Sequence, residues 1–207
     1  MNALELLAYS PVMPVIVIQD TESAVDLARA LVTGGIRSLE ITLRSPAALD
    51  AIRAIRDQVP DALVGVGTVR TPGQLDAALQ AGACFGVSPG LTPALARAAQ
   101  AAGIPFLPGV ATASEAMQAA DWGFTVQKLF PAEAVGGAAL LKAWHGPLPD
   151  LRFCPTGGIH AGNAAGYLAL PNVGCVGGSW LTPAQAVAER DWDAITQLAR
   201  QACALAR

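Results

Sequence analysis

Two lysines stand against eleven arginines in this chain of 207 residues, and one of the two sits where a lysine is unusual. Lys128 lies in Phe-Thr-Val-Gln-Lys-Leu-Phe-Pro-Ala-Glu, flanked by Val126, Leu129 and Phe130. Alternation along an extended segment puts it on the same face as Val126 and Phe130. Apolar surroundings disfavour an ammonium ion, and the neutral amine is the species that attacks a ketone to form a Schiff base. The alternative is an edge lysine whose stem snorkels to water. Lys142, between Leu141 and Trp144, falls in a helical segment and reads as a surface charge.

A second alternating row is Ser38-Leu39-Glu40-Ile41-Thr42-Leu43-Arg44. Its apolar members face one way, and Glu40, Thr42 and Arg44 the other. In a parallel sheet covered on both faces an inward polar row must be paired or functional. Glu40 can then move protons and Arg44 bind an anion; a structural Glu40–Arg44 ion pair is the alternative. Two glycine-rich turns, Pro155-Thr156-Gly157-Gly158-Ile159 and Gly177-Gly178-Ser179-Trp180, complete the set. Glycines allow backbone N–H groups to approach a phosphate closely, and a following helix N-terminus adds favourable potential. Gly65-Val66-Gly67-Thr68 looks like part of a dinucleotide motif but lies within a strand and is discounted.

The elements that must hold these residues follow a rhythm. Apolar runs at 12–19, 38–43, 63–68, 84–88, 105–108, 125–129, 152–156 and 173–177 alternate with alanine-rich helical segments. The helices open at Thr21-Glu22-Ser23, Thr71-Pro72, Thr92-Pro93 and Thr112, and close at Gly34-Gly35, Gly82, Gly103 and Gly123. That is the pattern of an N-cap residue followed by a glycine stop. Strands alternating with helices predict parallel pairing through right-handed crossovers. Eight units predict a (β/α)8 barrel spanning residues 1–207 as one domain, with residues 2–9 forming a short helix that caps its base. A doubly wound open sheet is the competing architecture, and the G-x-G-x-x-G turn after its first strand is absent. In a barrel, chemistry belongs at the C-terminal strand ends. Read in order, those ends carry Glu40, Thr42 and Arg44, then Thr68, Ser88-Pro89, Gly109, Lys128, Thr156-Gly157-Gly158 and Gly177-Gly178-Ser179.

Composition narrows the classes. With 53% hydrophobic and 14% charged residues, the chain is not disordered. A net charge of −3 and singly scattered basic residues argue against a nucleic-acid partner. No apolar run reaches the ~18 residues of a membrane span, and the start lacks a signal-peptide pattern, so a cytoplasmic protein is expected. Cys84, Cys154, Cys175 and Cys203 are far apart with no CxxC, and read as core thiols. With His145 and His160 as the two histidines, no metal site is expected.

The segments Leu39–Arg44, Gly65–Val69, Ser88–Gly90, Lys128–Glu133, Cys154–Ile159 and Gly177–Trp180, in register over nearly the whole chain, resemble the 2-keto-3-deoxy-6-phosphogluconate (KDPG) and 4-hydroxy-2-oxoglutarate (KHG) aldolases. That resemblance implies a class I aldolase without metal or cofactor, a homotrimer of barrels, acting on a phosphorylated keto-sugar acid with pyruvate as product. It implies Lys128 as the Schiff-base lysine and Glu40 as general acid/base. Arg44 and Thr68 would hold the pyruvate carboxylate, with Pro89 lining that pocket and Phe130 beside the lysine. Thr156 would bear on epimer preference, and Gly157, Gly158, Gly177, Gly178 and Ser179 would bind phosphate. His160 departs from the small polar residues expected there, and reads as either a phosphate neighbour or a solvated loop residue. Cleavage of 4-hydroxy-2-oxoglutarate or of another epimer are the alternatives within the family. A phosphosugar isomerase or epimerase, needing no buried lysine, and a non-catalytic phosphosugar-binding module are the alternatives outside it.

Overall fold

The computed structural model describes residues 1–205. Strands and helices alternate along the chain: β1 (Val12–Ile16), α2 (Thr21–Thr33), β2 (Ser38–Thr42), α3 (Ala48–Gln58), β3 (Leu63–Gly67), α4 (Pro72–Ala81), β4 (Gly86–Val87), α5 (Pro93–Ala102) and β5 (Phe106–Leu107). Then follow β6 (Gly109–Val110), α6 (Ala113–Asp121), β7 (Val126–Leu129), α7 (Gly137–His145), β8 (Arg152–Pro155), α8 (Ala161–Leu168), β9 (Val176–Gly178), α9 (Ala184–Ala188) and α10 (Trp192–Cys203). A helix α1 (Ala3–Ala8) precedes them, and a 3-10 turn covers Glu133–Val135.

Every strand pairing is parallel. One sheet has the order β5-β4-β3-β2-β1-β9 and the other β6-β7-β8. Single bridges Phe153↔Val173 and Thr156↔Gly177 join the end of the second sheet to the neighbourhood of β9. The strand between Gly109 and Val110 was not expected from the sequence. Pro108 lacks an N–H to continue the ladder and separates it from β5.

The helix starts carry the expected chemistry. Thr71, Thr92 and Thr112 each accept a backbone N–H three residues on, the first two with proline just inside the helix. Gly82 and Gly103 end α4 and α5 with φ of 101° and 65°. One boundary is corrected: α2 is capped by Asp20, whose carboxylate accepts from the Ser23 N–H, and Thr21 is already inside the helix.

Alternation divides the strand residues between two apolar clusters. Leu39, Ile41, Val64, Val66, Leu129 and Phe153 pack with the helices. Met13, Phe85, Val87, Val126, Cys154 and Cys175 form a second cluster on the opposite face, closed by Leu6 and Leu7 of α1. The cysteines divide likewise: Cys154 and Cys175 are buried, Cys84 is half-buried and Cys203 is exposed, so the core-thiol expectation holds for two of four. No helix among the described residues is long and apolar enough to cross a membrane.

Candidate active site

The second strand face carries the polar residues that matter, just beyond its apolar cluster. Glu40, in the middle of β2, is 2% exposed, and Lys128, on β7, is 6% exposed. They come from strands separated by 88 positions, and Lys128 Nζ lies 3.3 Å from Glu40 Oε1. Phe130 covers the amine, with its ring centroid 5.2 Å from Nζ. A buried ion pair is costly to assemble and is no general stabilising device, so its presence between two strands points to chemistry. The Glu40–Arg44 pair considered from sequence does not form: Glu40 bonds to Lys128, while Arg44 lies past the end of β2 and is exposed. Lys142 is exposed on α7, as expected.

The neighbours of Glu40 are shaped to admit it. A Cβ on Gly67 would collide with the Glu40 carboxylate and with its Cγ. Gly65, two residues earlier on the same strand, leaves room in the same way for the Phe85 ring. These glycines are strand residues, as the sequence suggested. Their purpose, clearance for side chains from other strands, had no local signal. Thr42, next on the inward row, donates its hydroxyl to the Ile16 carbonyl at 2.8 Å and ties β2 to β1.

Thr68 follows Gly67 with φ of 59°, a left-handed conformation that a β-branched residue rarely takes. Bonds on either side hold it: Leu43 N–H to Gly67 O at 2.9 Å and Val69 N–H to Val87 O at 3.1 Å. Such strain costs of order 1–3 kcal/mol and gathers at functional sites. Register places Thr68 and Arg44 at adjacent ends of β3 and β2, since Thr42 pairs with Gly67.

The remaining candidates line two cavities and the turns beyond the strands. Arg44 and Ser179 line one cavity of about 720 Å³. Pro89, Gly109 and Phe130 line a smaller one of about 90 Å³. Gly109 pairs in register with Lys128, and a Cβ there would strike the Pro89 carbonyl, so glycine allows β4 and β6 ends to meet. Thr156 is buried and abuts Gly177, where a Cβ would collide with its hydroxyl. Gly157 and Gly158 have φ of 102° and 79°, which favour glycine. Gly178 faces the Trp180 ring, and Ser179 is exposed beside it. His160 is the N-cap of α8: its Nδ1 accepts from Gly162 N–H at 3.1 Å while Asn163 Oδ1 accepts from its own N–H. That role is a helix cap, which neither sequence alternative named. Among the described residues no group of three or more His, Cys, Asp or Glu could hold a metal ion.

A lysine amine in contact with a carboxylate, both out of water, can pass a proton to become a nucleophile. Comparison with known proteins agrees with this chemistry. The model of the KDPG and KHG aldolase family matches residues 4–198. The 2-dehydro-3-deoxy-phosphogluconate aldolase of Pseudoalteromonas atlantica is 52% identical over 203 residues, covering 98% of this chain and 94% of that one. The KHG/KDPG aldolase of Escherichia coli is 53% identical over 201 residues, covering 97% and 94%. Among solved structures, the KDPG aldolase of Legionella pneumophila superposes with a TM-score of 0.96 at 47% identity, covering 99% of each chain. That structure holds pyruvate captured at low pH as a covalent carbinolamine intermediate. The chain therefore belongs to the KDPG and KHG aldolase family.

Proposed function

We propose that this chain cleaves 2-keto-3-deoxy-6-phosphogluconate to pyruvate and D-glyceraldehyde 3-phosphate through a Schiff base on Lys128. The observation that carries the proposal is the buried contact of Lys128 Nζ with Glu40 Oε1 at 3.3 Å, beneath the Phe130 ring. Lys128 passes a proton to Glu40 and its free amine attacks the C2 ketone, forming a carbinolamine. Glu40 donates a proton to the departing hydroxyl, water leaves, and a protonated imine results. That cation draws in the electron pair of the C3–C4 bond as Glu40, through a water, takes the C4 hydroxyl proton. The aldehyde departs, and the enamine is protonated at C3. Water then adds to the imine and releases pyruvate and the lysine.

Around this core, Arg44 and Thr68 hold the substrate carboxylate, Pro89 lines its pocket, and Thr156 faces the C4 end. The turns Gly157-Gly158 and Gly177-Gly178-Ser179 bind the phosphate. The reading is supported by the carbonyls of the first turn. Those of Thr156, Gly157 and Gly158 accept from Ala132 N–H at 2.8 Å, Glu133 N–H at 3.1 Å and Asn163 Nδ2 at 3.0 Å. With its carbonyls engaged by other protein groups, the turn has N–H groups to offer an anion.

The same proposal has residues 1–207 acting as one domain built on a closed (β/α)8 barrel. β5 and β6 count as one strand broken at Pro108, and α1 caps the base. The bridges joining β8 to the β9 region support closure, and the burial of Leu6 and Leu7 against strand residues supports the cap. A homotrimer in the cytoplasm completes the reading, with no metal or cofactor in the reaction. Cleavage of 4-hydroxy-2-oxoglutarate is a second activity, favoured by the double name of the E. coli relative.

The test is a product assay with purified protein and each keto acid. Pyruvate and glyceraldehyde 3-phosphate in equal amounts from the phosphosugar acid are expected. No pyruvate from either compound would end the proposal.

A further inference from the structure

Outside the reacting groups, one half-buried contact is built with more care than the fold requires. Tyr167, on α8, is 2% exposed and donates its hydroxyl to Glu133 Oε1. Two glycines make room for this bond. A Cβ on Gly137, where φ is 57°, would fall 2.7 Å from the Tyr167 hydroxyl and 3.2 Å from Glu133 Oε1. A Cβ on Gly158, where φ is 79°, would crowd the Glu133 Cβ at 2.7 Å. Glu133 therefore lies directly against the glycine turn, and its own N–H holds the Gly157 carbonyl. Tyr167 stands on the helix that leaves the same turn, one step beyond the Asn163 amide that holds the Gly158 carbonyl. Burial first, and the Glu133 bond second, push the Tyr167 hydroxyl well above its ordinary value, so it remains a donor through the working range.

We infer that Glu133 and Tyr167 are positioning residues for the phosphate end of the substrate. The bond between them clamps the segment following Lys128 to the turn Thr156-Gly157-Gly158, and so makes the site selective for a phosphorylated substrate over the same sugar acid without phosphate. The inference rests on the phosphate role given to that turn in the proposed function. Its chemistry is indirect. A carboxylate next to an anion site is unfavourable in itself; Glu133 is exposed, but one of its oxygens is bonded to the buried Tyr167 phenol. The turn's three carbonyls then stay fixed, and its N–H groups keep the orientation an oxyanion needs. The lysine and Glu40 do not depend on it.

The experiment compares Tyr167→Phe, Glu133→Ala and Glu133→Gln with the wild type on 2-keto-3-deoxygluconate and on its 6-phosphate. Tyr167→Phe keeps the buried ring and loses only the bond. It should raise KM for the phosphorylated substrate about tenfold, the scale of one net hydrogen bond, with kcat nearly unchanged. Its kcat/KM on the unphosphorylated substrate should match the wild type. Glu133→Ala should behave the same way, and Glu133→Gln, which keeps an acceptor for the phenol, should restore the wild-type KM. Equal losses on both substrates, or an unchanged KM for the phosphate ester, would overturn the inference. Amide hydrogen exchange in the substrate-free protein gives a reading independent of the reaction. Exchange at Ala132 and Glu133, the donors to the turn, should quicken in Tyr167→Phe, and unchanged rates would defeat the clamp. A wild type that cleaves neither compound would instead refute the aldolase reading, with the exchange result still deciding the clamp.

Discussion

The dry centre of the site and its wet rim are built on different principles. At the centre, Glu40 and Lys128 stand on strands, and their directions follow from the pleat of β2 and β7. Both are buried and pair with each other. At the rim, Arg44, Pro89, Gly158 and Ser179 are exposed and belong to turns beyond the strand ends. Their positions follow from local backbone geometry: the left-handed Thr68, the positive φ at Gly157 and Gly158, and the carbonyls gripped by Ala132, Glu133 and Asn163. In the proposed reaction the centre carries the bond-making chemistry, which is common to keto acids of one type, and the rim decides which of them enters. Changes at the centre should therefore reduce kcat, and changes at the rim should appear mainly in KM.

The largest effect tests the centre. Lys128→Ala should abolish cleavage, measured as pyruvate release, since among the described residues Lys128 is the amine paired with Glu40. Glu40→Gln comes next. Proton transfer by a positioned carboxylate contributes roughly 10²–10⁴-fold, so kcat should drop by that factor while the covalent adduct with pyruvate still forms. Normal turnover in Glu40→Gln would move proton handling to another group.

Arg44→Ala sharpens the contrast from the rim side. A hydrogen bond to a charged group is worth about 1.5–3 kcal/mol, so KM for the keto acid should rise roughly tenfold to a hundredfold with a smaller change in kcat. Loss of kcat alone would place Arg44 at the centre. Gly67→Ala tests how tightly the centre is packed. The added methyl must displace the Glu40 side chain, and overpacking of this kind costs about 1–3 kcal/mol. Urea unfolding should show that loss, together with a lower kcat.

These distinctions bear on what the sequence made legible. The centre could be read directly, because alternation along β2 and β7 is a property of the strand itself. The helix caps at Thr71, Thr92 and Thr112 were legible for the same reason. The alternating row failed at Arg44, where β2 has already ended at Thr42 and the pleat no longer sets direction. At the rim, Arg44 and the two glycine turns were read from residue type and position, whereas the roles of Thr68 and Pro89 came only through resemblance, since a turn's backbone groups leave little trace beyond glycines. Gly67 and Gly137 were out of reach, because each makes way for a side chain distant in sequence, Glu40 and Tyr167. Three charged or phenolic residues thus needed neighbours that no local pattern announces: Glu40, Glu133 and Tyr167.

The smallest effect lies outside both regions. Asp20 caps α2, and its bonds to the Ser23 backbone and hydroxyl hold its carboxyl below the ordinary carboxylate range. A depressed folded-state value gives stability that is present above the unfolded value, near pH 4, and lost as pH falls through the folded one. Asp20→Ala should cost about 1 kcal/mol at neutral pH, as loss of an N-cap does. The difference from wild type should shrink in acid unfolding curves, with cleavage at pH 7 unchanged. A constant difference across the acid range would assign Asp20's contribution to something other than its charge.

The proposed reaction depends on a covalent bond at one nitrogen. Incubation with pyruvate and sodium borohydride, followed by proteolysis and mass mapping, tests this without reference to the substrate's sugar half. The reduced pyruvate adduct should appear on the peptide that carries Lys128, and cleavage activity should disappear in step with it. An unmodified enzyme that keeps its activity, or an adduct confined to Lys142, would contradict the Schiff-base reaction.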